Sequence, residues 1–164
     1  METIKQAVLF NSPLETGVRS VVILDAIFPL VCDLETLVWL DHLVVHTGDI
    51  NGPESLHPDV PQRNGELLVR RSLVEQGLEI MIRAQYVDMS AVEEGIVYQG
   101  TDEAFNFVQL LRSNYSLKLK EKALWLKENI CILSKNEIRK IVNDKLGRWN
   151  VEFQAIKVSG ESSK

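Results

Sequence analysis

The sequence predicts a mainly α-helical fold with a small β-hairpin, in the form of a winged helix-turn-helix domain with a helical C-terminal extension. Three segments with helical periodicity come first along the chain, and two short runs of β-favouring residues follow them. Three helices and then a hairpin is the order of a winged helix. A length of 164 residues suits one domain with an appendage. We therefore expect the domain over residues 1–112 and the extension over residues 113–164.

The first predicted helix has a clear start and a clear end. Ser12 offers a hydroxyl N-cap, a proline follows at the first helical position, and Glu15 stands at the capping-box spacing. Apolar residues then recur at helical spacing to about Phe28, where Pro29 would stop the helix. Gly17 costs about 1 kcal/mol inside a helix, which indicates that a neighbouring backbone approaches closely there.

The second predicted helix runs from Leu34 to about His46 after an N-cap at Asp33. Its apolar residues cover much of its circumference, so we expect it to be deeply packed. Residues 47–63 are rich in glycine, proline and asparagine, and cannot sustain a helix or a central strand. An ordered loop longer than about 12–15 residues is uncommon in a compact domain unless it is functional. We predict a structured loop here, which either faces a partner or packs on its own domain.

The third predicted helix and the hairpin complete the expected domain. Asn64 would cap a helix that ends near Ala84. Residues 86–89 and 96–98 are β-favouring runs on either side of a turn-like segment at 91–95, which predicts a wing hairpin over residues 86–100.

The rest of the chain is predicted to be helical. Thr101 would cap a fourth helix that reaches Leu111, and an amphipathic, lysine-rich helix follows over residues 117–130. Another helix is expected from Ser134 to about Leu146, and the alternation in residues 151–156 suggests a short edge strand.

The net charge of −5 is unevenly distributed along the chain. Residues 1–62 hold 2 basic and 9 acidic side chains, whereas residues 113–164 hold 11 basic and 6 acidic ones. An acidic body repels the phosphate backbone of nucleic acid. Any direct DNA contact should therefore come from the C-terminal third or from partner proteins.

The composition favours a cytoplasmic protein that does not enter a membrane. No apolar run reaches the roughly 18–20 uncharged residues that a membrane-spanning helix requires, because charged residues from Arg19 to Asp41 interrupt the most apolar stretch. Cys32 and Cys131 form neither a disulfide framework nor a Cys-x-x-Cys metal site, and two such thiols suit a reducing cytoplasm.

The motifs do not predict an enzyme or a cofactor. The sequence has no Gly-x-Ser-x-Gly elbow and no glycine-rich phosphate loop. His42 and His46 are spaced as zinc ligands could be, with Asp49 and His57 as further candidates, but a zincin would need glutamate where Leu43 stands. We therefore expect structural histidines, no metal, no cofactor and no catalytic residue, and treat a metallohydrolase as the weakest alternative.

Four spaced motifs carry a resemblance to a known family. They are FNSPLETGVR at residues 10–19, LDHLVVHTGD at 40–49, GPESLHP at 52–58 and RNGE at 63–66. Together they resemble the middle component, subtype 2, of bacterial ABC three-component systems, over roughly residues 8–130.

That resemblance implies a winged-helix accessory subunit of a Lamassu-type anti-phage and anti-plasmid defence complex. Such a subunit would sit on the heads of an SMC-like ATPase and help to control a nuclease effector. ATP hydrolysis and DNA cleavage would belong to these partners, and DNA would be met indirectly or through the basic C-terminal third. The family brings no catalytic residue to carry over.

The motif residues are also the candidates for partner binding or for holding the loop. His46 to Asp49 has the pattern of a helix C-cap with Gly48 in the left-handed conformation, and Asp49 can bond local backbone amides. Such a scaffold would hold residues 55–63 rigidly for presentation. The full candidate set is His46, Gly48, Asp49, Ser55, His57, Arg63 and Glu66.

The alternative function is a stand-alone winged-helix regulator that binds DNA. Its third helix would lie where a recognition helix lies, but glutamates are interspersed with the arginines there, and intrahelical pairing on a solvated face explains that pattern as well. The lysine-rich helix admits the same two interpretations. The candidate DNA contacts are Arg70, Arg71, Lys118, Lys120, Lys122, Arg139 and Lys140.

Overall fold

The computed structural model describes residues 12–58 and 66–145, and within them the chain forms six α-helices and one two-stranded antiparallel hairpin. The mainly helical architecture with a single hairpin is the predicted one. In chain order the elements are α1 (Pro13–Ile27), α2 (Leu34–Val45), a 3-10 helix (Thr47–Ile50), α3 (Glu66–Arg83), β1 (Val87–Val92), β2 (Gly95–Gly100), α4 (Asp102–Leu110), α5 (Asn114–Asn129) and α6 (Lys135–Lys145).

Helix α1 lies at the centre of the fold, in contact with α2, α3, α4, α5 and β2. Its predicted cap is confirmed, since the Ser12 hydroxyl accepts a hydrogen bond from the Glu15 amide at 3.2 Å. Four consecutive residues, 21–24, are buried, so the helix is covered on every side. Helix α2 is buried from Leu37 to Val45, as predicted.

Two glycines let α1 and α3 cross at close range. A Cβ atom on Gly17 would lie 2.9 Å from the Gly77 carbonyl oxygen, and one on Gly77 would lie 2.6 Å from the Gly17 nitrogen. The close approach predicted at Gly17 is therefore confirmed, and its partner is a glycine in the middle of α3. Both clashes involve backbone atoms, which cannot move aside as a flexible side chain can.

The hairpin is attached to the linker between α1 and α2. Val92 pairs with Gly95, so the turn is tighter than the predicted 91–95 segment and consists of two glutamates. Cys32 and Tyr98 exchange backbone hydrogen bonds of 3.1 and 2.8 Å, which fasten β2 to that linker. Along β1, only Val87 is buried.

The C-terminal helices share the core of the rest of the molecule. Leu119, Ala123 and Leu126 of α5, with Ile138 and Val142 of α6, join the apolar cluster formed by α1 and α2. Core side chains thus come from both sides of residue 112, where the sequence suggests the start of an extension.

Local caps explain where the later helices begin. The Thr101 hydroxyl accepts from the Ala104 amide at 3.2 Å, as predicted. Ser134 and Glu137 form a reciprocal capping box at the start of α6, since each side chain accepts from the other residue's amide. The predicted cap at Asn64 and the predicted strand at 151–156 lie outside the described residues. None of the helices described is both long and apolar enough to cross a membrane.

Candidate functional site

The loop that follows α2 is folded back on itself by its own hydrogen bonds. The Thr47 hydroxyl donates to the Pro53 carbonyl at 2.7 Å, and the Thr47 carbonyl accepts from the Gly52 amide at 2.9 Å. The Gly48 amide donates to the Ser55 hydroxyl at 3.0 Å, and the His57 amide returns to the Val45 carbonyl at 3.0 Å. The predicted structured loop is confirmed for residues 47–58.

The predicted left-handed cap at Gly48 is wrong. The chain continues from α2 into the 3-10 helix, and the left-handed residue is Asn51 at its end, with φ of 61°. Gly48 instead makes room for Ser55, because a Cβ at position 48 would lie 2.8 Å from the Ser55 hydroxyl oxygen. Asp49 is half-buried, and its carboxylate makes none of the side-chain hydrogen bonds found among the described residues.

The loop is also seated on α5. A Cβ on Gly52 would lie 2.8 Å from the Trp125 ring, so only glycine lets the loop backbone lie against that ring. Asn51, Glu54 and Pro58 are exposed on the loop. The loop is therefore held by its own bonds and by α5, while these three residues face solvent.

Next to this loop the structure brings together a buried charge cluster. The Asp41 carboxylate is fully buried, accepts from Arg19 Nε at 2.9 Å, and accepts from Arg70 Nη1 at 2.6 Å. Arg19 is 3% exposed and Arg70 21% exposed. Burial by itself raises the pKa of Asp41, but the two guanidinium groups outweigh it and hold that pKa below its usual value. The cluster joins α1, α2 and α3 and carries one more positive than negative charge.

Three imidazoles extend from this cluster towards α5. The His42 and His46 rings lie 4.5 Å apart, and the His46 and His57 rings 6.2 Å apart. His57 Nε2 lies 2.8 Å from the Tyr115 hydroxyl oxygen. Burial first, and then the charge of Arg19, lowers the pKa of His57 to about 4, and burial also lowers that of His42. His42 and His57 are therefore neutral at physiological pH.

The described residues contain no group of three His, Cys, Asp or Glu side chains arranged to hold a metal ion. Of the three histidines, His57 uses its Nε2 atom in the contact with the Tyr115 hydroxyl. Arg63 and the side chain of Glu66 lie outside the described residues.

The candidate DNA contacts occupy several different environments. Arg70 binds Asp41, Arg71 lies 3.5 Å from Glu75 as the predicted intrahelical pairing requires, and Lys122 is buried in α5. In α6, the Arg139 side chain lies 3.4 Å from Glu35 and 5.8 Å from the Trp39 ring centre. Lys120 is half-buried, and two candidates are exposed, Lys118 and Lys140.

Asp41 is the important residue that sequence reasoning missed. The LDHLVV segment places one carboxylate on a helix whose apolar residues cover most of its surface. A charge in such a position requires a buried partner, and this requirement is the feature of the sequence that could have identified Asp41. The identity of the partners depends on contacts 22 and 29 positions away along the chain.

Comparison with known protein families matches most of the chain. The family model of the ABC-three component (ABC-3C) system Middle Component 2 matches residues 9–152, which is most of the chain. No curated protein and no solved structure matches the chain.

Proposed function

Because the chain belongs to the Middle Component 2 family of ABC three-component systems, we propose that it is a non-catalytic accessory subunit that binds the other components of such a system. In this proposal it is a winged-helix-type subunit on the heads of an SMC-like ATPase in a Lamassu-type anti-phage and anti-plasmid complex. There it helps to control a nuclease effector. The family match over residues 9–152 is the observation that carries the proposal.

The chemistry of the buried ionisable groups supports a binding role. Asp41 is ion-paired with two arginines, and His42 and His57 beside it are neutral. Burial raises the pKa of Cys32 to about 12 and that of Cys131 to about 11, so neither thiol is an activated nucleophile. The ion pairs and pKa values of these buried side chains favour a role in holding helices together over proton transfer or covalent catalysis near neutral pH.

The surface supports the same role. Large apolar side chains are exposed near one another at the end of α1 and on α4 and α5, among them Phe28, Phe105 and Leu124. Exposed apolar surface of this kind commonly marks a protein–protein contact. The ordered loop over residues 47–58 offers a second, polar surface.

Coexpression with the two other components of such a system, followed by size-exclusion chromatography, tests the proposal. We expect the chain to elute with the ATPase component at micromolar concentration. Elution of the chain by itself, with the ATPase intact and folded, would contradict the proposal.

The alternative is a stand-alone DNA-binding regulator of winged-helix type. The excess of basic residues over residues 113–164 and the exposure of Lys118 and Lys140 favour it. A gel shift with the isolated chain on duplex DNA separates the two functions. The accessory subunit should bind weakly, with strong salt dependence and without sequence preference, whereas a regulator should select one sequence.

A further inference from the structure

A groove of about 580 Å³ lies between α4 and α5, with α1 forming its floor. Val22 of α1 and Val108 of α4 are buried at its base. Phe28, Phe105 and Leu124 line it while 47%, 55% and 50% exposed, so the groove is open to solvent and its apolar walls are only partly covered. Three half-exposed side chains of this size in one groove are more than isolated surface residues.

The charged residues of the groove lie on different walls. Lys120 and Lys127 line it from α5, with Leu124 between them on the same helix face, whereas Asp102 lines it from α4. Lys120, Lys127 and Asp102 take part in none of the ion pairs found in the described parts of the chain. Asp25 at the floor is partly desolvated, and this burial raises its pKa although both lysines act to lower it.

We infer that this groove binds an amphipathic α-helix of another component of the same system, with carboxylates on its flank towards α5 and a basic residue on its flank towards α4. The inference rests on the proposed function and adds to it the contact surface and the chemistry of the bound segment.

The geometry and the charges support a helix as the occupant. The groove has one helix on each side and a third beneath it, and an amphipathic helix places an apolar stripe into such a groove with its polar flanks at the rims. Lys120 and Lys127 are seven residues apart, which is about 10 Å along α5. Two carboxylates spaced by two helical turns match that distance, and the lysines would exclude a partner with a basic flank there.

Copurification of the coexpressed components tests the inference. We expect Lys120→Glu with Lys127→Glu to lower the amount of partner recovered at least tenfold. The matched control, Arg83→Glu with Arg112→Glu, makes the same change of charge at exposed positions that do not line the groove, and should leave recovery unchanged. Phe105→Ser is a second variant that removes apolar contact without a change of charge. Thermal unfolding followed by circular dichroism shows which variants fold.

A photocrosslinking residue at position 105 identifies the bound segment. We expect crosslinks to an amphipathic helical segment of another component, and reversal of its carboxylates to lysine should restore binding to the Lys120→Glu, Lys127→Glu variant. Crosslinks to a second copy of this chain, or to a segment without that pattern, would overturn the inference. So would normal recovery with both folded groove variants while the wild-type complex forms, an outcome that leaves the proposed function standing. Failure of the wild-type chain to copurify would overturn both.

Discussion

Replacement of Asp41 by asparagine tests the buried charge cluster most directly. The change keeps the shape of the side chain and removes the negative charge that two guanidinium groups contact at 2.9 and 2.6 Å. Arg19, which is 3% exposed, would then carry a charge that neither water nor a carboxylate balances.

The expected cost follows from the burial of the two cations. Removal of one partner from a buried ion pair destabilises a protein by about 3–5 kcal/mol. Arg70 is 21% exposed and can regain water, and the new amide oxygen still accepts a hydrogen bond, so we place the loss near the lower end, at about 3 kcal/mol. For a chain of this size that corresponds to a fall in Tm of about 6–12 °C.

Urea unfolding followed by tryptophan fluorescence measures the loss, with an unchanged slope showing that the change lies in stability. The matched control is Glu75→Gln, which removes a carboxylate from the exposed, 3.5 Å pair with Arg71 and should cost only about 0.3–0.5 kcal/mol. Arg70→Gln should cost less than Asp41→Asn, because it leaves the pair between Arg19 and Asp41 in place. If Asp41→Asn cost no more than Glu75→Gln, the assignment of the cluster as the tie between α1, α2 and α3 would be refuted.

The difference in stability between wild type and Asp41→Asn should depend on pH in a definite direction. The folded pKa of Asp41 lies below its unfolded value, so the folded state binds fewer protons and gains stability above the unfolded pKa of about 3.9. This stability is lost as pH falls through the folded pKa. The difference between wild type and Asp41→Asn should therefore be constant from about pH 7 to 5 and shrink below about pH 4.

Three further predictions concern packing, the loop and the thiols. Gly77→Ala should destabilise the protein by about 1–3 kcal/mol in urea unfolding, although alanine ordinarily favours a helix, because the added carbon meets the α1 backbone at 2.6 Å. Tyr115→Phe should remove the bond to His57, at a cost of about 0.5–1.5 kcal/mol, and speed hydrogen exchange of the loop at residues 46–58. Cys32 and Cys131 should react with iodoacetamide at pH 7 far more slowly in the folded than in the unfolded protein, because burial raises both thiol pKa values, to about 12 and about 11.

The Gly77→Ala prediction has a matched control, and each of the three predictions has a contradicting result. Ser72→Ala changes an exposed position of the same helix and should alter stability by less than about 0.5 kcal/mol. Gly77→Ala would contradict the close crossing if it proved as stable as wild type. Unchanged exchange of the loop amides in Tyr115→Phe would show that α5 does not hold the loop through His57, and rapid alkylation of either thiol in folded protein would contradict its burial.

His57 adds a test of its electrostatic environment. Its folded pKa of about 4 lies below the unfolded value of about 6.5, so the folded state should favour the neutral ring. The stability that this neutral form contributes is present above about pH 6.5 and is lost as pH falls towards 4. An NMR titration should show His57 neutral at pH 6, and a midpoint at or above 6.5 would contradict its burial.

Features that depend on neighbouring residues were predicted well. The caps at Ser12, Asp33 and Thr101 act within three residues of themselves, so a local pattern contains all the information that places the helix starts. The prediction at Gly48 failed although it also rests on neighbouring residues. The same residues suit a left-handed helix cap and a continuation into a 3-10 helix. The contact with Ser55, seven positions later, decides between them.

The distribution of charge along the chain does not show which charged side chains are exposed. Among the candidate DNA contacts, Arg70 lies in the buried cluster, Arg139 lies beside Glu35, and Lys122 is buried in α5. A count along the sequence cannot distinguish these positions from exposed ones, because the helices that cover them come from other parts of the chain.

The sequence by itself determined the family, the order of the elements, the helix caps and the close approach at Gly17, because each of these is written in contiguous residues or in motifs of fixed order. Only the tertiary structure decided that Asp41 joins Arg19 to Arg70, that the loop rests on α5, and that an apolar groove opens between α4 and α5. The physical reason is that burial, ion pairing and surface shape depend on which distant helices pack together, and helical periodicity shows that a face is apolar without showing what covers it.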